Sequence, residues 1–349
     1  MIHELLPPAG KTLISIGKWR LLADHRTLMV TIFLLALTLV SIVLSISLGS
    51  AKLTSWHVLQ TLLGQGDRVS ELTVFKVRLP RTIAVLVAGC ALGLSGCLIQ
   101  SLVRNRLATP DMVGVNEGAM LAIIFFTLYI TLGQWPWWAA PLGALATAVL
   151  LFGLCRNPGE QGYLFVVVGI GVTEMLSAAG EFLMSTESIV HISSVYMWSM
   201  GNFSGQGYLT AVPVASILLC LLPIVIYLSR SLDVMRLGTI TASNLGVHIV
   251  RVQGGVLFIA IMIAALGTAI GGPIAFIAMA APIIASYLVG HRTLPLWCAA
   301  LLGAVFLLLS DTLARVLAQP YEISTGVITR ILGGIFLLFL LLNDKGKVD

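Results

Sequence analysis

Long apolar runs constrain this chain more than any other feature of its sequence. The clearest run, at 82–103, contains no charged residue and is flanked by Arg81 and Arg104. Its length matches the roughly 20 residues that a helix needs to cross the hydrocarbon core of a bilayer. Backbone polar groups in lipid must be satisfied within the segment, so the run is expected to be helical. Similar runs recur along the chain, which predicts a polytopic membrane protein.

The charge content agrees with this prediction. Charged residues make up 10% of the chain and the mean hydropathy is +1.00, whereas a soluble domain carries about 25% charged residues. The formal net charge is +5, but no basic cluster is interleaved with aromatic residues, which argues against nucleic-acid binding. The lysines and arginines are better interpreted as signals of membrane topology.

Hydropathy and helix-breaking residues predict about ten spans. The predicted spans are 29–49, 81–103, 111–133, 136–154, 162–184, 208–229, 251–271, 274–290, 294–316 and 325–343. The eighth is short and contains Pro282, so a pair of half-spans around 271–273 is an alternative. We predict an all-α fold that forms a single transmembrane domain over 1–349.

The distribution of Lys and Arg predicts the orientation of the chain. Cytoplasmic loops of membrane proteins carry an excess of these residues. The excess falls on the predicted inner segments when both termini are placed in the cytoplasm, including the N-terminal segment 1–28. The exception is the group of arginines at 78–81, which this orientation places at the outer side.

The sequence offers little support for an enzyme. It has no GxxxxGK[ST] phosphate-binding motif and no HExxH or GxSxG motif. The chain is therefore not expected to hydrolyse ATP, and transport energy would come from a partner or from an ion gradient. Ionisable residues in or near apolar spans are costly and are candidate proton relays; they are Glu117, Glu174, Asp311 and Arg330.

These residues leave a stand-alone, proton-coupled secondary transporter as one interpretation. Only Glu174 lies near the middle of a predicted span, and that interpretation requires it. The alternative is that these residues are charges at helix ends or hydrogen-bonded groups inside the bundle, with no role in transport. In particular, Asp311 and Arg315 are four residues apart on one predicted helix and are placed to form an ion pair.

An ordered series of motifs extends from 78 to 119. It comprises RLPR at 78–81, Ser95-Gly96, Gln100, RNRLA at 104–108, Pro110, Gly114-Val115 and Gly118-Ala119. This series closely resembles the signature of the FecCD family, the membrane permeases of bacterial ABC importers for iron-siderophores, haem and cobalamin. A second block, GGPIAFIAMAAPIIASYLVG at 271–290, resembles the family's GPIxFIGLxxPHxxRxxxG. With weaker blocks between them, the resemblance covers nearly the whole chain.

Several positions depart from the family pattern. Arg106 stands where proline is usual, and a proline there would have fixed the backbone φ angle. In the second block, Ala278, Ile283 and Ser286 stand where Gly, His and Arg are usual. The altered second block mildly favours a heterodimer with a paralogous permease over a homodimer.

The resemblance implies the fold and the partners. The fold is that of a type II ABC importer permease, and two permease subunits form the translocation pore. A pair of ATPase subunits and a periplasmic binding protein complete the importer in the bacterial inner membrane, among membrane lipids. We expect no cofactor on this chain, with ATP and Mg²⁺ on the ATPase subunits. Transport is expected to proceed by alternating access.

The expected cargo is a ferric siderophore. The RNxLATPD spacing at 104–111 and the C-terminal sequence at 321–341 look closest to the siderophore branch, and a catecholate is favoured within it. Haem and cobalamin are the alternative cargoes.

The resemblance assigns docking to three outer arginines. In the family, the two RLPR arginines and a third near the end of the ninth helix form ion pairs with acidic residues of the binding protein; the matching residues are Arg78, Arg81 and Arg315. Opposite charges on two docking faces steer encounter and fix register. The alternative is interfacial anchoring by long cationic side chains.

Two inner loops receive roles from the same resemblance. Asn105 and Leu107 follow the second span and match a cytoplasmic gate, although they also fit a plain positive-inside loop. The loop at 229–251 is the longest polar inner loop, and a short helix is predicted from Thr239 to Leu245, ending at Gly246. In the family this loop docks on the ATPase, which implies coupling roles for Thr239, Thr241, Asn244, Leu245 and Gly246.

Overall fold

A computed structural model describes residues 11–16, 19–49, 55–130, 135–155, 162–187, 189–290, 294–319 and 321–343. A two-stranded antiparallel hairpin, β1 (Lys11–Ile16) and β2 (Trp19–Asp24), precedes the helices. The helices are α1 (His25–Ser47), α2 (Ser55–Leu62), α3 (Arg68–Glu71), α4 (Leu79–Val103), α5 (Val115–Phe125), α6 (Ala139–Leu154), α7 (Gly162–Ser185), α8 (Ile189–Ser199), α9 (Tyr208–Met235), α10 (Thr239–Asn244), α11 (Ile249–Gly271), α12 (Ile277–Val289), α13 (Leu296–Leu317) and α14 (Thr325–Asn343).

The predicted spans correspond to helices of this bundle. In the described part of the chain, seven helices are long and apolar enough to cross a membrane, and three shorter apolar helices lie among them. The predicted multi-span, α-helical class is confirmed for the bundle. The hairpin at 11–24 and helices α2, α3 and α8 are elements that the sequence analysis did not predict. A π-helical segment at Leu72–Arg78 leads directly into α4. The second span therefore begins at Arg68, earlier than predicted.

Helix α4 lies at the centre of the bundle and packs mainly against α13, α11 and α12. Its small residues permit this closeness, because a Cβ at Gly89 would lie 2.6 Å from the Gly303 carbonyl oxygen. Polar residues of the same helix tie it to its neighbours. Ser95 donates a hydrogen bond to the Ala260 carbonyl at 2.6 Å, and Gln100 donates to the Met279 carbonyl at 3.0 Å. Helices α5, α6 and α7 pack together beside this group.

The chain is broken between the seventh and eighth predicted spans, and the eighth is short. Helix α11 ends before Gly272, and α12 begins only at Ile277 and contains Pro282. Phe276, immediately before α12, has a positive φ of 71°, which is uncommon for a non-glycine residue. The chain therefore turns sharply at 272–276, and α12, with 13 residues, is shorter than a full span.

Candidate functional site

The three predicted docking arginines meet in one group of charges, which we call the outer cluster: Arg78, Arg81, Asp311, Arg315 and Glu322. Arg81 lies between the two carboxylates. Its Nη2 is 2.9 Å from Asp311 Oδ1, and its Nη1 is 2.8 Å from Glu322 Oε2. Arg315 Nε lies 3.1 Å from Asp311 Oδ2, so the predicted Asp311–Arg315 ion pair is present.

Two of these arginines also bind the end of α1. Arg78 Nη1 donates to the carbonyl oxygens of Ile46 and Ser47 at 2.7 and 2.8 Å. Arg315 Nη2 donates to the Ser45 carbonyl oxygen at 3.0 Å. The last carbonyls of a helix lack intrahelical partners and carry partial negative charge, so cations are favourable there. The outer cluster thus holds α1, α4 and α13 together.

The outer cluster is largely enclosed by the chain itself. Arg78, Arg81 and Arg315 are 5%, 8% and 6% exposed, and Asp311 is 0% exposed. Sequence reasoning placed the three arginines at the outer surface of the bundle but did not indicate that their charged ends are covered. Docking by these residues therefore stays a prediction, and any direct contact with a partner requires access to a buried guanidinium group.

Glu322 is the part of the outer cluster that reaches the surface. Its side chain is 45% exposed and lies in the loop between α13 and α14. Ser204 Oγ donates to the same Glu322 oxygen at 2.6 Å. Burial acts to raise the pKa of Glu322, but the hydrogen bonds from Arg81 and Ser204 outweigh it and lower that pKa below its ordinary value. The ion pair with Arg81 is therefore present at neutral pH and is lost only as the pH falls through this lowered value.

The sequence analysis missed Glu322, Ser204 and Thr325. Thr325 Oγ1 donates to Asp311 Oδ1 at 2.9 Å and so completes the surroundings of the buried carboxylate. The spacing of Asp311 and Arg315 on one helix was a usable signal. No comparable pattern connects Glu322 or Ser204 to Arg81, because those contacts join residues 241 and 123 positions apart in the chain.

The predicted gate residues lie in the tight turn after α4. Arg104 has a left-handed backbone conformation, with φ 56°, and ends the helix. Asn105 Oδ1 then accepts a hydrogen bond from the Leu107 backbone N–H at 2.9 Å. This contact forms an Asx turn, which fixes the conformation of the loop. Arg106 Nη1 donates to the Tyr287 hydroxyl at 3.2 Å. Asn105 and Leu107 are both exposed in this chain.

The predicted coupling segment forms a short surface helix, α10 (Thr239–Asn244), which is followed by Leu245 and Gly246. Gly246 has φ +86°, a conformation that glycine adopts without steric cost. Thr239, Thr241 and Asn244 are exposed, while Ala242 is buried against the bundle. The structure thus bears out the predicted short helix and its end at Gly246.

Apolar side chains flank the polar residues of this segment. Leu237, Ile240 and Leu245 are 67%, 79% and 63% exposed, and we call them the coupling patch. Sequence reasoning named Leu245 but missed Leu237 and Ile240. Large apolar residues grouped on a polar loop are typical of a surface that another protein covers.

Of the candidate relay residues, Asp311 belongs to the outer cluster, whereas Glu117 lies in the first turn of α5. Asn116 Nδ2 donates to Asp111 Oδ1 at 2.7 Å, and Thr268 donates to the Asn116 amide oxygen at 3.2 Å. Glu174 is exposed on α7. Among the described residues, no three His, Cys, Asp or Glu side chains come together in a group that could hold a metal ion.

The fold and these sites define a multi-pass membrane protein of the permease class. Residues 37–343 match the FecCD transport family. The chain is 33% identical to the ferric enterobactin transport system permease protein FepG of Escherichia coli over 328 residues, which are 93% of this chain and 98% of the relative. It is 32% identical to the Fe(3+)-citrate import system permease protein YfmE of Bacillus subtilis over 329 residues, again 93% and 98%.

A solved structure shows the same fold. It is a metal-chelate type ABC transporter in an inward-facing conformation, with a TM-score of 0.79 and 26% identity over 90% of this chain and 99% of the other. The chain belongs to the FecCD transport family. It is therefore a permease subunit of an ABC importer in the inner membrane, and it works with a permease partner, ATPase subunits and a binding protein.

Proposed function

We propose that this chain is the permease subunit of a ferric-siderophore importer. The observation that carries the proposal is the near full-length similarity to permeases named for ferric enterobactin and Fe(3+)-citrate. Both cargoes are iron chelates, and the enterobactin relative favours a catecholate. A hemin permease of Yersinia pestis is 31% identical over 77% of this chain, so haem remains the second cargo class, with cobalamin beside it.

The proposed mechanism joins the sites described above. Two permease subunits enclose the pathway, and both termini face the cytoplasm. The binding protein delivers the iron chelate at the end of the bundle that carries the outer cluster. ATP and Mg²⁺ act on the ATPase subunits, which move α10 and thereby open or close the loop containing Asn105 and Leu107. This chain itself binds no cofactor and forms one transmembrane domain.

Coupling rests on the exposed apolar residues of the 229–251 loop. Burial of a hydrophobic side chain by a partner contributes the most binding free energy when that side chain is fully exposed in the unbound chain. Ile240 is the most exposed member of the coupling patch, at 79%. We propose that it enters a groove of the ATPase subunit, with Thr239, Thr241, Asn244 and Gly246 shaping the helix that carries it.

Ile240→Glu is expected to lower ATP-driven uptake of radioactive ferric siderophore by about tenfold or more, since a charge placed in a desolvated contact costs at least the 1.4 kcal/mol that corresponds to tenfold. The measurement is uptake in cells, with the amount of permease in the membrane and the copurified ATPase subunits quantified in parallel. Ile240→Leu is the matched control and should retain uptake. Normal uptake by Ile240→Glu would contradict the coupling role.

The same uptake assay separates an ABC importer from a secondary transporter. Uptake by the unaltered protein should follow ATP and should persist when the proton gradient is collapsed. Glu174→Gln should then leave uptake unchanged, because no relay is needed. Loss of uptake on collapse of the proton gradient, together with loss of uptake in Glu174→Gln, would favour the proton-coupled alternative if the ATP level stayed high.

For docking, we propose that an acidic residue of the binding protein replaces Glu322 beside Arg81. Glu322 is the exposed partner of an otherwise buried guanidinium group, so it lies on the route by which a carboxylate would approach. Arg78 and Arg315 hold the surrounding helix ends and contribute positive potential. The exchange of one carboxylate for another keeps Arg81 paired throughout, which avoids the cost of an unpaired buried charge.

Glu322→Gln is expected to tighten binding of the partner binding protein by about two- to fivefold, since the displaced surface pair is worth roughly 0–1 kcal/mol. The measurement is the dissociation constant between the purified importer and its binding protein. Glu71→Gln removes one exposed negative charge near the same end of the bundle, outside the outer cluster, and should change binding less. Weaker binding by Glu322→Gln would show that Glu322 contacts the partner rather than competing with it.

A further inference from the structure

Arg26, in the first turn of α1, contacts the end of a helix 262 residues further along the chain. Its Nε donates a hydrogen bond to the Leu288 carbonyl oxygen at 2.7 Å, and its Nη2 donates to the Tyr287 carbonyl oxygen at 3.2 Å. Both carbonyl groups belong to the last turn of α12. None of the sites described above includes Arg26.

The last turn of α12 presents carbonyl groups that the helix itself cannot satisfy, and such groups carry partial negative charge. The helix ends at Gly290, whose φ is +93° and whose N–H donates to the Ser286 carbonyl oxygen at 2.9 Å. Arg26 supplies donors to the next two carbonyl groups. A Cβ at Gly290 would lie 3.6 Å from Arg26 Nη1, so the guanidinium group lies directly against this helix end.

The backbone that carries Arg26 is itself anchored. Asp24 is the N-cap of α1, and its Oδ1 accepts a hydrogen bond from the Arg26 backbone N–H at 3.3 Å. Further along α1, Thr31 Oγ1 lies 3.4 Å from Cys298 Sγ in α13, against which α1 packs. Arg26 therefore extends from a fixed helix end to the last turn of α12.

The same turn of α12 also contacts the predicted gate, the loop at 105–107, which we call the gate loop. Arg106 Nη1 donates to the Tyr287 hydroxyl at 3.2 Å, and the Arg106 guanidinium lies 5.7 Å from the centre of the Tyr287 ring. Tyr287 thus binds Arg26 through its backbone carbonyl and the gate loop through its side chain. A displacement of Tyr287 changes both contacts at once.

We propose that Arg26 is a positioning residue for the gate loop and acts through the last turn of α12. This inference rests on the gate role proposed above for Asn105 and Leu107. With Arg26 in place, the end of α12 is held from the side of α1, and the gate loop has one preferred position. Without Arg26, the end of α12 gains freedom, which loosens one of the contacts that hold Arg106.

The test measures the order of the gate loop in the purified importer with its partner subunits. A nitroxide spin label is attached to Leu107→Cys, in a Cys220→Ser background because Cys220 is an exposed native thiol. Arg26→Ala is expected to lower the ratio of the immobile to the mobile spectral component by about two- to fivefold, the effect of removing a cation from an exposed helix end. Arg26→Lys keeps a cation there and should retain most of the immobile component.

Two controls separate positioning from a general loss of structure. Arg230→Ala removes an equal charge from an exposed position of α9 and should leave the spectrum of the Leu107 label unchanged. A label at Leu63→Cys, a residue that is 71% exposed and follows α2, should give the same spectrum with and without Arg26. An unchanged Leu107 spectrum in Arg26→Ala, or equal loosening of both labels, would overturn the proposal.

A double substitution tests the route through Tyr287. Tyr287→Phe removes the hydroxyl group that accepts from Arg106 and is expected to loosen the gate loop by itself. If both residues act along one route, Arg26→Ala combined with Tyr287→Phe should loosen the loop no more than the stronger single substitution. Effects that multiply in the double variant would show that Arg26 acts elsewhere and would contradict this route.

Transport distinguishes this inference from the gate role on which it rests. In proteoliposomes, Arg26→Ala is expected to transport about two- to fivefold less iron chelate per ATP hydrolysed, because a loosened gate couples hydrolysis less tightly to transport. A loosened loop together with this loss supports both proposals. A loosened loop with an unchanged yield per ATP supports the positioning role of Arg26 and contradicts the gate role of Asn105 and Leu107.

Discussion

Asp311→Ala is expected to destabilise the folded chain by about 3–5 kcal/mol, the usual cost of removing one partner from a buried ion pair. Asp311 is fully buried and is paired with both Arg81 and Arg315. Its removal leaves two guanidinium groups next to each other without the carboxylate between them. Glu322 can compensate only in part, because its side chain is 45% exposed and its ion pair is with Arg81.

The measurement is the free energy of unfolding of the purified chain in detergent, with its abundance in the membrane as a second readout. Asp233→Ala is the control, since Asp233 pairs with Arg236 near the surface, where a pair contributes roughly 0–1 kcal/mol. A loss of stability no greater than that of the control would show that the outer cluster contributes little to the fold. Asp311→Asn should lie between the two, because it keeps the acceptor oxygen but not the charge.

Gly96→Ala is expected to have a comparable effect for a steric reason. A Cβ at this position would overlap the backbone carbonyl group of Ala278. Overpacking a core normally costs about 1–3 kcal/mol. A backbone group cannot move aside as a side chain can. We therefore expect the loss of folding stability to be at or above the top of that range. The separation of α4 from α12 would have to increase, and the Gln100–Met279 hydrogen bond would lengthen with it.

Gly254→Ala in α11 is the matched control, because nothing lies within 4 Å of the added methyl group. That substitution should stabilise the chain by about 0.5–1 kcal/mol, since it removes the flexibility of glycine from a helix interior. Both variants are compared by thermal unfolding in the same detergent. If Gly96→Ala unfolds at the same temperature as the unaltered chain, α4 and α12 are not held as closely as the structure shows.

The sequence predicted the architecture well because apolar length is a local property. The positions of the ten apolar helices, the break after α11 and the short helix α10 were all visible in runs, glycines and prolines. The RLPR segment also predicted that Arg78 and Arg81 form part of a site. What it could not indicate is the burial of those arginines, because that depends on the carbonyl ends of α1 and on Asp311, which is 230 residues away from Arg81.

Other misses have different physical causes. Helices α2 and α8 are short, with 8 and 11 residues, so hydropathy windows of membrane length do not detect them. The coupling patch was only partly predicted, because Leu237 and Ile240 look like ordinary apolar residues until their exposure is known.

The enclosure of α4 limits where a second subunit can be accommodated. In its most apolar stretch, 83% of the residues of the segment Arg68–Val103 are buried by the same chain, compared with 17% for the α7 segment Val167–Ser185 and 22% for α9. A helix surrounded on all sides by its own chain has no face left for lipid or for a neighbouring subunit. The wall of any passage between two permease subunits is therefore expected to come from more exposed helices such as α7 and α9, and α4 supports α9 directly from the centre of the bundle.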